Sequence, residues 1–148
     1  MQIACHILRK ALETVEPAVA RGKVTLPITK EALVQDGHLV SIDNNLERYI
    51  KLELAESKGF TACLPHATLT SVLKHLPGST KLSFARENGK LAMSAGGTRV
   101  ELAASDPEDF PPLPEMVDPE GDGEIPRTGI KLLAEIAKSA ATENSRPV

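Results

Sequence analysis

The groups from which a catalytic or metal site could be built are four histidines, two cysteines and a run of acids near the C-terminus. His6, His38, His66 and His75 sit apart, with no HExxH pair and no partnered Cys/His arrangement. Cys5 and Cys63 are too few for a disulfide framework and have no metal-ligand spacing, so both are expected to be small core residues in a reducing compartment. Asp118, Glu120, Asp122 and Glu124 alternate like calcium ligands. A calcium loop needs a defined order of ligands closed by a bidentate Glu, and Pro119 and Pro126 disfavour that geometry. Gly96-Gly97 reads as a hairpin turn and not a phosphate loop, and neither Ser94 nor Ser105 has the context of a nucleophile elbow. These residues predict no catalysis, no cofactor and no metal.

The remaining chemistry is electrostatic. The net charge of −3 conceals a division along the chain. Residues 1–100 carry 13 Lys/Arg against 9 Asp/Glu, residues 101–126 carry 9 acids and no base, and residues 127–148 carry 4 bases and 2 acids. The first hundred residues can therefore present a basic face although the whole chain is acidic. Lys10 lies off the apolar stripe of the first helical pattern, and Arg21 and Lys23 follow that pattern. Lys74 sits on the polar side of the second, which contains no acid between Pro65 and Pro77. Long cationic side chains of this kind suit phosphate oxygens and not base edges, which gives binding without sequence preference. With Phe60, Phe84, Phe110 and Tyr49 as the whole aromatic complement, a base-stacking platform for single strands is disfavoured.

Three helical patterns position these charges. Ile7, Leu8, Ala11, Leu12, Val15 and Val19 fall on one face, with Arg9, Lys10 and Glu13 directed elsewhere. Leu69, Val72, Leu73 and Leu76 repeat the spacing and end at Pro77-Gly78. Leu133, Ile136, Ala137 and Ala140 form the third pattern, with Thr128 as the expected N-cap. Asp36-Gly37 and Asn88-Gly89 precede alternating stretches at His38–Ile42 and Lys90–Ser94, the signature of two-residue β-hairpin turns. Lys51–Ala55 and Arg99–Ala103 read as further strands.

The pieces echo one another in order. Ala4-Cys5 is answered by Ala62-Cys63, and Asp36-Gly37-His38-Leu39 by Asn88-Gly89-Lys90-Leu91. Lys51-Leu52-Glu53-Leu54-Ala55 is answered by Arg99-Val100-Glu101-Leu102-Ala103. Three echoes in sequence predict a duplicated β-α-β-β-β unit, with two helices packed on antiparallel sheets in an α+β architecture. From Asp106 to Pro126 six prolines and the acids predict a linker that joins neither sheet nor helix. The expected domains are thus 1–105, a linker over 106–126, and residues 127–148 as the first helix of an incomplete second domain. No apolar run approaches the roughly 18 residues of a membrane span. Met1-Gln2-Ile3-Ala4-Cys5 does not open a secretory signal, so a cytoplasmic location is expected.

Thr25-Leu26-Pro27-Ile28, Asn45-Leu46-Glu47, Leu64-Pro65, Leu76-Pro77, Asp109-Phe110-Pro111 and Leu113-Pro114 together resemble the first domain of the bacterial DNA polymerase III beta subunit, the beta sliding clamp. In that family the corresponding pattern runs T-L-P-I-L, T-D-L-E, V-P-A, L-P and D-F-P-x-L. Glu143–Val148 resembles the start of its second-domain R-P-V-L-N-G-V segment. The chain differs where Asn44-Asn45 stands for T-D and where Val100 replaces an aromatic residue common on the last strand.

The resemblance implies a DNA clamp fold and a non-catalytic processivity factor. Three such domains would form a subunit, and two subunits a homodimer ring around double-stranded DNA. DNA polymerase III and a clamp loader would be its protein partners, at the nucleoid. It places Lys23 at a phosphate-contacting position, with Lys10, Arg21 and Lys74 as further DNA-binding candidates. It makes Arg99–Ala103 the edge that pairs with the neighbouring subunit, with Arg99, Val100 and Leu102 as contacts; the alternative is that Val100 and Leu102 are core residues of their own domain. The alternative is a free-standing clamp-like adaptor that binds protein.

Overall fold

The computed structural model describes residues 1–113 and 126–142. The chain divides into two units, Met1–Leu113 and Pro114–Val148. In the first, β1 (Gln2–Ala4) leads into α1 (Cys5–Val15), followed by β2 (Glu31–Gln35), β3 (His38–Ile42) and β4 (Tyr49–Glu53). The pattern then repeats: β5 (Ala62–Pro65), α2 (His66–Leu73), β6 (Lys81–Glu87), β7 (Lys90–Ala95) and β8 (Thr98–Leu102). The predicted duplication and α+β class are present.

The two repeats exchange their first strands. β1 pairs with β6, giving a sheet of order β1-β6-β7-β8, and β5 pairs with β2, giving β4-β3-β2-β5. All pairings are antiparallel. The register corrects two of the echoes. Ala4 faces Lys81 and Pro65 faces Glu31, so Ala4 corresponds to Pro65 and not to Ala62. Leu52 faces Leu39 and Leu102 faces Leu91, so Leu52, and not Leu54, is the counterpart of Leu102. Short apolar words in neighbouring strands look alike, and only the hydrogen-bonded partner fixes which face each residue takes.

Both hairpins form as their dipeptides require. Asp36 and Gly37 have φ of 50° and 77°, and Asn88 and Gly89 repeat these values. Positive φ at both turn positions matches the twist of the flanking strands, and Asn, Asp and Gly tolerate it best.

The helices pack against each other and against the inner faces of both sheets. Leu8, Leu12 and Val15 of α1 meet Leu69 and Leu73 of α2, with Leu39, Leu64, Leu82 and Leu91 from the strands, all 2% exposed or less. A second cluster covers the other face of the β4-β3-β2-β5 sheet. There Leu33, Val40, Ile42 and Cys63 lie under Ile28 of a 3-10 turn (Pro27–Lys30) and under Phe110. Residues 32–34 are consequently buried on both faces and read as a continuous apolar run.

Near their C-terminal ends α1 and α2 each receive a side chain of the other helix. His66 Nε2 lies 3.0 Å from the Leu12 carbonyl, and since a carbonyl only accepts, that nitrogen carries the proton. Arg9 donates to the carbonyls of Leu73 and Leu76, both at 2.9 Å. Ser41 Oγ donates to the Val15 carbonyl at 2.8 Å. The Val15 and Leu73 carbonyls are among the last ones of their helices, and Leu76 lies in the turn just beyond α2. The Leu12 carbonyl accepts from the Glu16 backbone N–H as well as from His66. Arg9 is thus a buried-facing cap and not the solvated charge its place in the helical pattern predicts.

Two further expectations change. The acidic stretch does not begin as a free linker. Ser105 donates through its backbone N and its Oγ to the Glu31 carboxylate at 3.0 and 2.7 Å, Arg86 pairs with Asp106 at 3.0 Å, and a 3-10 turn spans Pro107–Asp109. Phe110 then supplies enough apolar surface to anchor the chain on the first unit. Residues 114–125, including the alternating acids, lie outside the described residues, as do 143–148. In the second unit α3 (Arg127–Thr142) begins before Thr128. The Pro126 carbonyl accepts from Gly129 N and Ile130 N, which places Thr128 inside the first turn and not at the cap.

Candidate nucleic-acid interface and open strand edge

The four cations expected to meet phosphate are all exposed and occupy three places on the first unit. Arg21 and Lys74 come together. α1 stops at Val15 because Pro17 cannot continue it, and the turn Glu16–Ala18 returns the chain so that residues 19–22 border the start of α2. Arg21 and Lys74 thereby line one cleft of about 400 Å³, joined by Lys30 from the turn before β2. Lys30 was not among the sequence candidates. Nothing local marks it, because its approach to Lys74 depends on how β2 and β5 pair. Arg21 also pairs with Glu16 at 3.0 Å, an exposed contact of little energetic weight. Lys23 stands in the exposed segment beyond Gly22, while Lys10 borders a separate groove with His6, Thr14, Leu52 and Glu53.

The loop between β3 and β4 is held by Asp43. Its carboxylate accepts from Glu47 N at 2.9 Å and Arg48 N at 3.1 Å, and its carbonyl accepts from Leu46 N, which has φ of 60°. Asn44 Oδ1 accepts from Thr25 N at 2.8 Å, so two of the segments carrying the family resemblance are bonded to each other. The Arg48 backbone N–H, with a smaller contribution from that of Glu47, holds the Asp43 carboxyl below its usual value. A lowered folded-state pKa means the contact is present above the ordinary carboxylate pKa and is lost as pH falls through the lowered one. The amide resonances of Glu47 and Arg48 are expected to shift together on acidification, with a midpoint below the value of about 3.9 for a free Asp. A midpoint at or above that value would remove Asp43 as the clasp of this loop.

At the other expected site, β8 is the last strand of its sheet and pairs with β7 on one side. Its outer backbone groups have no strand beside them among the described residues. Val100 is 40% exposed. Arg99 is already engaged with Glu87 at 2.6 Å across the sheet, and Lys90 with Glu101 at 3.1 Å. Leu102 differs from the expectation. It is 5% exposed and pairs with Leu91 in the main core, against which Ala104 also packs. An edge partner would meet Val100, Arg99 and the free backbone, but not Leu102.

Cys5 and Cys63 are both free and buried. Burial, with the Glu31 carboxylate nearby, pushes the Cys63 thiol up to about 12, so it is no nucleophile at neutral pH. Among the described residues no cluster of His, Cys, Asp or Glu could hold a metal ion, and no helix is long and apolar enough to cross a membrane.

No family model matches the sequence, and no curated protein matches it. Solved structures do. A DNA polymerase sliding clamp from Pseudomonas aeruginosa is 26% identical with a TM-score of 0.59, over 78% of this chain and 32% of that one. The pol III beta of Caulobacter crescentus is 24% identical with a TM-score of 0.61, over 80% and 32%. A DnaN sliding clamp from Bartonella birtlesii is 19% identical with a TM-score of 0.60, over 76% and 31%. The chain has the fold of the DNA polymerase III beta sliding clamps and spans about a third of the length of those it matches.

Proposed function

We propose that this chain is the first domain of a sliding clamp, followed from residue 127 by the first helix of a second domain. The whole protein would act as a non-catalytic ring that encloses duplex DNA and tethers a replicative polymerase in the cytoplasm. The observation that carries this is the duplicated β-α-β-β-β unit with exchanged first strands, superposable on bacterial clamps over about four-fifths of the chain. Two features fit it. Lys10, Arg21, Lys23 and Lys74 are exposed on or beside the paired helices, where they can meet phosphates without reading bases. The free edge of β8 can extend its sheet into a neighbouring domain through backbone hydrogen bonds.

The test uses the full-length protein on closed circular and linearised DNA of the same sequence. Retention on the circle that is lost on cutting is expected, because enclosure is topological and needs no tight contact. Equal release from both would overturn the reading. The 148-residue chain alone is expected to be monomeric and to bind any duplex weakly, near a Kd of about 10⁻⁴ M, with affinity falling as salt rises. A stable dimer at sub-micromolar concentration would favour the protein-binding adaptor instead.

A further inference from the structure

The first unit has a second open edge besides β8. β4 ends the β4-β3-β2-β5 sheet as β8 ends the other, and among the described residues no strand lies beside either on its outer side. The register makes the two strands counterparts, with Leu52 in the place of Leu102 and Ile50 in that of Val100. The Leu54 N–H donates to the Gly37 carbonyl at 2.7 Å, and the Arg48 carbonyl accepts from Asp43 N at 2.9 Å. Bonded residues alternate along an antiparallel strand, so Tyr49, Lys51 and Glu53 turn their backbone groups to the open side. In β8, counting from Ala95–Thr98, the pair that closes the two-residue turn, Arg99 and Glu101 do the same. The side chains between them, Ile50 and Leu52 on β4 and Val100 on β8, lie on the apolar face of their sheets. None of the three is fully covered.

We propose that β4 takes β8 of a second copy of this chain as an antiparallel fifth strand, with Lys51 opposite Glu101 and Glu53 opposite Arg99. Charge selects this register. A shift of one residue would put the apolar side chains on the wrong face, so the allowed registers differ by two. In the proposed one, two opposite-charge pairs flank Leu52, which lies beside Val100. Two residues one way, Lys51 meets Arg99; two residues the other way, Glu53 meets Glu101. Like charges directly opposite each other are destabilising. Arg99 and Glu101 already bond Glu87 and Lys90 across their own sheet, so each would sit between two opposite charges. A symmetric β8–β8 pair would leave Ile50 and Leu52 uncovered, whereas β4 with β8 covers both edges through one kind of contact. That contact is heterologous, so copies add head to tail. A few residue pairs bury far less than the roughly 1,200 Å² of stable interfaces, so the association is weak and the dilute chain stays monomeric. The inference rests on the open β8 edge invoked above and supplies the edge that complements it.

The test is a concentration series of the ¹⁵N-labelled 148-residue chain at low ionic strength, up to the highest concentration it tolerates. The amides of Lys51, Glu53, Arg99 and Glu101 are expected to shift together as concentration rises. Glu53→Lys and Arg99→Glu, taken singly, each set like charges opposite one another and should weaken association by roughly tenfold. An equimolar mixture of the two variants restores an opposite pair, Lys at 53 against Glu at 99, and should recover the association. Both positions are exposed, so each variant should melt within a few degrees of the unaltered chain. Spectra that do not change with concentration would overturn the proposal. So would shifts confined to β4 or to β8, which mean a symmetric pair, and a mixture that associates no better than its components. The readout needs neither DNA nor the full-length protein, so it can succeed where the circular-DNA test fails, and the reverse.

Discussion

Replacing Leu102 with Asp is expected to unfold the first unit, whereas the same change at Val100, on the same strand, should leave it folded. Leu102 is 5% exposed and faces Leu91 in the main core, while Val100 is 40% exposed on the open part of β8. Deleting the leucine forfeits roughly 3 kcal/mol of burial and cavity energy. The carboxylate that replaces it would sit among the apolar residues of that cluster, and must either protonate or admit water at a further cost of a few kcal/mol. Against a total stability of about 5–15 kcal/mol, that sum removes most or all of the folded population. Val100→Asp should cost no more than about 1 kcal/mol in the isolated chain. If the full-length protein forms the ring proposed above, Val100→Asp should instead weaken subunit association, since it puts a charge where a partner strand would lie. Thermal melts of both variants, with sedimentation of the full-length Val100→Asp protein, separate the two roles. A Leu102→Asp chain that melted within a few degrees of the unaltered one would return Leu102 to the interface.

That contrast shows what a strand pattern can and cannot reveal. Val100 and Leu102 are two apart and therefore share a face, which alternation makes plain. Which of them is covered depends on tertiary packing, in which Leu102 joins the main core and Ala104, just beyond β8, packs against that core. The hairpins were legible because Asp36-Gly37 and Asn88-Gly89 carry a backbone requirement that few residue pairs meet. β2 was not, because both of its faces are covered and residues 32–34 lose the period-two signal that marks a strand. β1 and β5 escaped a correct match because each completes the other repeat's sheet, and nothing local records an exchanged partner. Among the cations, Arg21 is visible as a charge following the first apolar stripe and Lys74 as one on the polar side of the second. Their convergence with Lys30 is a product of tertiary structure alone.

Arg9 extends the same point from location to energy, and its replacement by Met is expected to be the most damaging change to any charged residue of α1. Its position off the apolar stripe reads as solvent-facing, yet its guanidinium reaches across to donate to Leu73 and Leu76, both at 2.9 Å, closing the C-terminal end of α2. Met keeps most of the stem and its packing, so the variant isolates the hydrogen bonds. Bonds from a charged donor contribute about 1.5–3 kcal/mol, and their loss leaves the Leu76 carbonyl to find water and the Leu73 carbonyl with the Leu76 N–H at 3.3 Å. The buried Arg9 Nε already lacks a partner among the described residues, a cost that Met relieves. The net loss should therefore fall toward the lower end, about 2 kcal/mol, which lowers the thermal midpoint by roughly 10 °C in a domain of this size. Both bonds come from the single nitrogen Nη2. The ammonium of Arg9→Lys also carries more than one donor but sits on a shorter and more mobile stem, so that variant should recover part of the loss. Because His66 makes the reciprocal bond to Leu12 across the same helix pair, Arg9→Met and His66→Phe should not be additive. Loosening the α1–α2 contact through one removes part of what the other secures. A midpoint for Arg9→Met within a degree or two of the unaltered chain would mean that water replaces the guanidinium at no cost, and that the two helices are joined by their leucines alone.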